Sequence, residues 1–100
     1  NNIMIPKEPF EERFYASRLG DPITPDEVIM NEKGVTFLIK NIFSHQDSFV
    51  FYEDISGVEI ESGILMSNIR IMMRAREPIF IENFSNADAI RIKQLIMERV

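Results

Sequence analysis

The chain has 100 residues, 45% of them hydrophobic and 27% charged, and its sixteen acidic and eleven basic side chains give a formal net charge of −5. That length supports one hydrophobic core, and that apolar content is too high for a disordered segment. The acidic balance excludes broad, non-specific binding to nucleic acid or anionic lipid, and the absence of cysteine excludes disulfides and thiolate ligands.

Within the first twenty residues, Pro9 followed by Phe10, Phe14 and Leu19 before Gly20 predicts a short helix, although Phe14-Tyr15-Ala16-Ser17 would also serve as a strand. Pro22 and Pro25 then mark a connection. Thr24-Pro25-Asp26-Glu27 has the form of a capping box, after which a single turn of helix suffices. Val28-Ile29-Met30 is β-rich and runs into Asn31-Glu32-Lys33-Gly34, where the glycine suits a type I turn closed by a left-handed residue. This is the first hairpin signal.

Val35 to Phe43 is mostly β-branched or aromatic. Ser44-His45-Gln46-Asp47-Ser48 reads as a polar turn before Phe49-Val50-Phe51-Tyr52, giving a second hairpin. Asp54-Ile55-Ser56-Gly57 is a short break, and beyond it Val58 and Ile60 point one way while Glu59 and Glu61 point the other. On the next strand Ile69, Ile71, Met73 and Ala75 continue the apolar face, leaving Arg70, Met72, Arg74 and Arg76 opposite. Pro78 closes a turn before the last strand, Ile79-Phe80-Ile81-Glu82.

At the end the period changes. Ser85-Asn86-Ala87-Asp88 offers an N-cap with an acid three residues on, Phe84 stands where a hydrophobic staple would, and Ala89, Ile92, Leu95, Ile96 and Val100 repeat at helical spacing. The fold class is therefore mainly β with a C-terminal α-helix. Six or seven short strands in meander order predict a strongly bent antiparallel sheet or small, partly open barrel, one side closed by the amphipathic helix. Residues 1–23 form an N-terminal extension and residues 24–100 the domain.

Three segments carry a family resemblance. Pro25-Asp26-Glu27-Val28-Ile29, Tyr52-Glu53-Asp54-Ile55-Ser56-Gly57-Val58-Glu59-Ile60 and Asn83-Phe84 leading into the helix resemble, in order and spacing, the opening, central strand break and close of bacterial pleckstrin-homology-like domains, related in shape to eukaryotic pleckstrin-homology and GRAM domains. The resemblance covers roughly residues 24–100. It implies a seven-stranded, partly open barrel capped by a helix, acting as a binding module without enzymatic activity. It does not imply lipid binding. Members that bind phosphoinositides gather Lys and Arg around the first hairpin, where this chain has Asn31-Glu32-Lys33-Gly34 with Asp26 and Glu27 nearby.

Two kinds of binding feature stand out. Alternation places Arg70, Arg74 and Arg76 on one strand face, where three guanidinium groups would hold an anion such as a lipid headgroup; a turn near Leu65-Met66 sets Glu61 opposite Arg70, and ordinary cross-strand ion pairing is the competing reading. The other feature is apolar. Ile64-Leu65-Met66 sits at an expected hairpin tip, suited to a partner groove unless the strands run on and these residues pack over the barrel mouth. On the helix, Ile90 and Met97 share a stripe roughly 140 to 160° from Ile92 at 100° per residue, and Phe80 points outward on its strand. These residues favour a protein partner or self-association over membrane contact.

Nothing supplies a catalytic, metal or cofactor site. Ser44, His45 and Asp47 lie within one five-residue stretch with nothing to orient them as a triad, and Asp47, Glu53 and Asp54 lack any ligand spacing around the single histidine. Most aromatics alternate into the core or sit beside acids, so no stacking platform for nucleic acid is expected. Cysteine-free composition and the lack of a long apolar run favour a cytoplasmic domain. Asn1 in place of an initiator Met leaves room for an upstream segment, a membrane-associated one included.

Overall fold

A computed structural model describes residues 9–17, 25–40 and 42–100. It contains β1 (Glu11–Tyr15), β2 (Glu27–Asn31), β3 (Gly34–Lys40), β4 (His45–Phe51), a 3-10 turn at Tyr52–Asp54, β5 (Ile55–Ser62), β6 (Met66–Met73), β7 (Ile79–Ser85) and α1 (Asn86–Met97). The strands form two antiparallel sheets, β1-β2-β3-β4 and β5-β6-β7, each in chain order. The chain is thus mainly β with one C-terminal helix.

The core lies between the inner faces of the sheets. Alternation on β2, β3 and β4 buries Val28, Met30, Val35, Phe37 and Val50; on β6 and β7 it buries Ile69, Ile71, Ile79 and Ile81, and on β5 a register shift between Ile55 and Gly57 lets both Ile55 and Val58 face in. Each fully buried side chain of this size contributes about 1.5 to 3 kcal/mol. Ala89, Ile92, Leu95 and Ile96 of α1 belong to the same cluster, and Phe84, fully buried, leads the helix into it. The helix starts where its residues predict: Ser85 is the N-cap, its hydroxyl accepting from the Asp88 amide at 3.1 Å.

Four local expectations are corrected. The helix predicted around Phe10, Phe14 and Leu19 is replaced by β1, because Phe14 and Ala16, two residues apart, both enter the core while Arg13 and Tyr15 face out. Leu19 and Gly20 lie outside the described residues, as does Thr24 of the capping box. No helical turn follows Asp26 either, since β2 begins at Glu27. Both acids are instead used across the sheet: the Asp26 carboxylate accepts from the Lys40 amide at 3.0 Å, and Glu27 pairs with the Lys40 ammonium.

The first hairpin closes without a left-handed residue. Asn31 Oδ1 accepts from the Lys33 and Gly34 amides at 2.8 and 3.0 Å, so its side chain shapes the turn. Gly34 is needed for space, because a Cβ there would meet the Val50 carbonyl and come within 2.7 Å of the Phe49 ring. The second turn falls earlier than expected. His45 to Ser48 belong to β4, paired without a break from Lys40↔His45 to Gly34↔Phe51, and the tip includes Ile42 and Phe43.

Two junctions fasten the sheets together. Asn83 is the one left-handed non-glycine among the described residues, at φ 66°, next to the register shift between β6 and β7. Its carbonyl accepts from the Ser17 amide at 2.6 Å and its amide donates to Asn68 Oδ1 at 3.2 Å, linking the end of β1 to β7 and β6. At the other junction, buried Tyr52 donates its hydroxyl to the Asn31 carbonyl at 2.5 Å. Arg99 lies over the Phe10 ring at 4.4 Å and faces Tyr52 at 6.0 Å, so the end of the helix grips the β4–β5 connection.

Asn83→Gly is expected to hold stability within about 1 kcal/mol, whereas Asn83→Val, with a branched Cβ in a left-handed position, loses about 2 kcal/mol in urea unfolding. Burial raises the Tyr52 phenol above its ordinary value near 10, Arg99 opposing and Glu32 adding to the shift. The folded state therefore holds the proton more tightly than the unfolded chain, and stability falls as pH rises above about 10. Thermal melts from pH 8 to 11 should show this decline, and Tyr52→Phe should flatten it while lowering stability at pH 8.

Candidate functional site

The β5–β6 hairpin builds the most exposed apolar feature at a position the residues predict. Gly63, Ile64 and Leu65 connect the strands, with Ile64 96% and Leu65 67% exposed; Met66 is half-buried as the first residue of β6. The strands do not run on to cover them. The Gly63 amide donates to the Met66 carbonyl at 2.7 Å, and a Cβ at Gly63 would press within 2.9 Å of that oxygen, so glycine permits the tight closure.

Asn86, the first residue of α1, clamps this tip from below. Its Nδ2 donates to the Gly63 and Ile64 carbonyls at 3.2 and 3.3 Å, while its Oδ1 accepts from the buried Ser67 hydroxyl at 2.5 Å. One amide thereby satisfies two turn carbonyls and the core's buried hydroxyl. It also joins the tip to the helix. Ile90, one turn on and about 6 Å along the axis, is 52% exposed, and Met97, about 10 Å further, is 42% exposed. Ile64, Leu65, Ile90 and Met97 thus make a discontinuous apolar strip from the hairpin along the outer stripe of α1, with exposed Lys93 and Gln94 between the last two.

Phe80 is separate from this strip. It is exposed as expected, but on the outer face of β7, away from the inner face that receives the helix, and it lies under the Arg70 guanidinium at 5.5 Å.

The three arginines are not gathered on one strand face. β6 ends at Met73, so Arg74 and Arg76 lie beyond it in the connection to β7, where the chain turns back after Met73. Arg74 is held there by two backbone carbonyls: its amide donates to the Asp54 carbonyl at 3.0 Å and its Nε to the Glu53 carbonyl at 2.9 Å. Arg70 pairs with Glu59 at 3.2 Å; Glu59 is its cross-strand neighbour, and Glu61, expected in that position, faces Asn68 instead. The turn's position sets this register. The shallow hollow around Arg70, about 330 Å³, is lined by Glu59, Glu61 and Glu82 with Phe80, which makes it acidic rather than anion-accepting.

Several exposed aromatics were not anticipated. The outer face of the four-stranded sheet aligns Arg13, Ile29, Thr36 and Phe49 in one row and Tyr15, Glu27, Leu38 and Asp47 in the next. Tyr15, Phe49 and Phe51 are about half exposed, and the two phenylalanines meet edge-to-face at 5.2 Å. At the β3–β4 tip, Ile42 and Phe43 are 70% and 96% exposed. The alternation Phe49-Val50-Phe51 signals this arrangement, because burying Val50 turns both neighbours outward.

His45 and Asp47 share the outer face of β4 in the open. Among the described residues no group of three His, Asp or Glu side chains is placed to hold a metal ion, and no helix is long and apolar enough to cross a membrane. Compared with protein-family models, curated proteins and solved structures, the chain matches none of them.

Asn86→Ala removes both turn bonds and leaves the Ser67 hydroxyl with Ser62 at 3.4 Å. It should cost about 1 to 3 kcal/mol and speed amide exchange around Leu65 and Met66 at least tenfold by native-state hydrogen exchange, with the helical circular dichroism intact.

Proposed function

We propose that the chain is a non-enzymatic interaction module that binds another protein through the apolar strip of Ile64, Leu65, Ile90 and Met97. The observation that carries this reading is a hydrogen-bonded tip that leaves Ile64 96% exposed. An apolar side chain held out by a fixed turn has lost much of its freedom before binding, so less ordering entropy opposes the complex. The flanking charge also favours a protein groove over an anionic surface: Glu61 is the nearest charged residue in sequence on one side of the tip. Met66 supports the tip from the first position of β6.

The family resemblance points the same way. A four-stranded and a three-stranded antiparallel sheet followed by a C-terminal helix accord with a pleckstrin-homology-like, partly open barrel, for which a binding role without catalysis is the expectation. Anion binding through Arg70, Arg74 and Arg76 gains no support from the geometry, with Arg70 already engaged by Glu59 and Phe80.

A photoreactive residue in place of Ile64, activated in the producing cell, should yield one discrete adduct with a second protein. Leu65→Asp or Met97→Glu should reduce that adduct at least tenfold while the circular dichroism is unchanged. No adduct, or one indifferent to both variants, overturns the proposal.

A further inference from the structure

A second surface, on the other sheet, carries its own inference. β4 is the last strand of the four-stranded sheet and pairs with β3 alone. Edge strands are ordinarily blunted by Lys, Pro or a bulge. β4 has neither Lys nor Pro in His45-Gln46-Asp47-Ser48-Phe49-Val50-Phe51, and its register with β3 is unbroken over seven pairs. Its side chains sharpen the point, because Phe49 and Phe51 are about half exposed and the Asp47 carboxylate has no partner among the described residues.

Beside this edge, Phe49, Val50, Asp54, Met73 and Arg76 line a hollow of about 240 Å³. Arg76 makes no ion pair or hydrogen bond among the described residues, and Asp54 across the hollow stands outside ion-pair distance. One edge therefore presents an unpaired carboxylate, an exposed aromatic two residues along, and an unpaired guanidinium lining the same hollow as that aromatic.

We infer that β4 pairs antiparallel with β4 of a second copy of this chain about a two-fold axis at Ser48. That register sets Asp47 opposite Phe49 of the second copy, His45 opposite its Phe51 and Gln46 opposite its Val50. Directly opposed side chains share a face about 5 Å apart, so each Asp47 carboxylate arrives beside the other copy's Arg76. The arrangement is self-complementary, as a two-fold interface must be. Centring the axis on Asp47 would instead oppose two like charges, and centring it on Phe49 would carry Asp47 past Arg76 to Phe51. Charge complementarity within a single chain favours a second copy over an unrelated extended peptide. One strand pair with its aromatic flank falls short of the roughly 800 Å² per partner of a standard interface, which makes the dimer a weak one.

Sedimentation equilibrium of the full chain from about 10 to 500 µM, the range of weak association, is the test. The wild type should shift from monomer toward twice the monomer mass. Asp47→Arg and Arg76→Asp should each weaken dimerisation at least tenfold, and the double variant Asp47→Arg/Arg76→Asp should restore it. Both positions are exposed, and circular dichroism checks that each variant folds. A wild type that stays monomeric, a dimer indifferent to either single reversal, or a double variant that fails to recover overturns the inference. So does a dimer abolished by Leu65→Asp and untouched by the charge reversals, which would place self-association on the apolar strip.

Discussion

Much of this molecule depends on docking α1 against the inner face of the three-stranded sheet, β5-β6-β7, where its main strand contacts lie. Neither sheet has more than four strands, and the inner faces expose Val28, Phe37, Ile55, Ile69, Ile71 and Ile81 unless something covers them. Ala89, Ile92, Leu95 and Ile96 join them in one buried cluster and cover β5 to β7 directly. Residues 83–86 set where it lands: left-handed Asn83 bends the chain and ties it to Ser17 and Asn68, Ser85 starts the helix, and Asn86 fixes the neighbouring hairpin. Four consecutive residues thus link both sheets, begin the helix and shape the protruding tip.

The charge distribution has a similar economy. Residues 1–69 carry net −7 and residues 70–100 net +2, which alone would make the molecule strongly polar end to end. In the fold, Arg70 pairs with Glu59 and Arg91 with Glu12, both across that division. Each exposed pair contributes at most about 1 kcal/mol, so their main effect is on the field rather than on stability. Arg74, turned onto backbone carbonyls, is likewise removed from the face it was expected to share with Arg70.

Strand and helix identity was legible wherever a period was long enough to be counted. The helix emerged with its cap, because Ser85, Asp88 and the apolar series each encode it locally, although it ends at Met97 and leaves Val100 exposed. Alternation likewise placed Glu59, Arg70 and Phe80 on the outer face. Short segments misled, since Phe10, Phe14 and Leu19 fit a helix only while the pairing of β1 with β2 is unknown. Register was the other blind spot. It depends on where each turn closes: moving the β5–β6 turn exchanged Glu61 for Glu59 opposite Arg70, and moving the β3–β4 turn carried His45 from a loop into a strand. Asn86 could not have been found as the clamp on the tip, because its partners lie 22 to 23 residues away along the chain.

The ion pair between Glu12 and Arg91 spans 79 residues and joins the first strand to the last helix. Sheets made of neighbouring strands can zip up as they are synthesised, each hairpin closing a short loop at small entropic cost. The helix that packs on β5 to β7 follows all the strands in the chain. Until residues 89–96 have emerged, the apolar face of the β5-β6-β7 sheet lacks its helix, a state prone to wrong association. The core is complete only once those residues are available, so its closure depends on the part of the domain that lies farthest along the chain from the first hairpin.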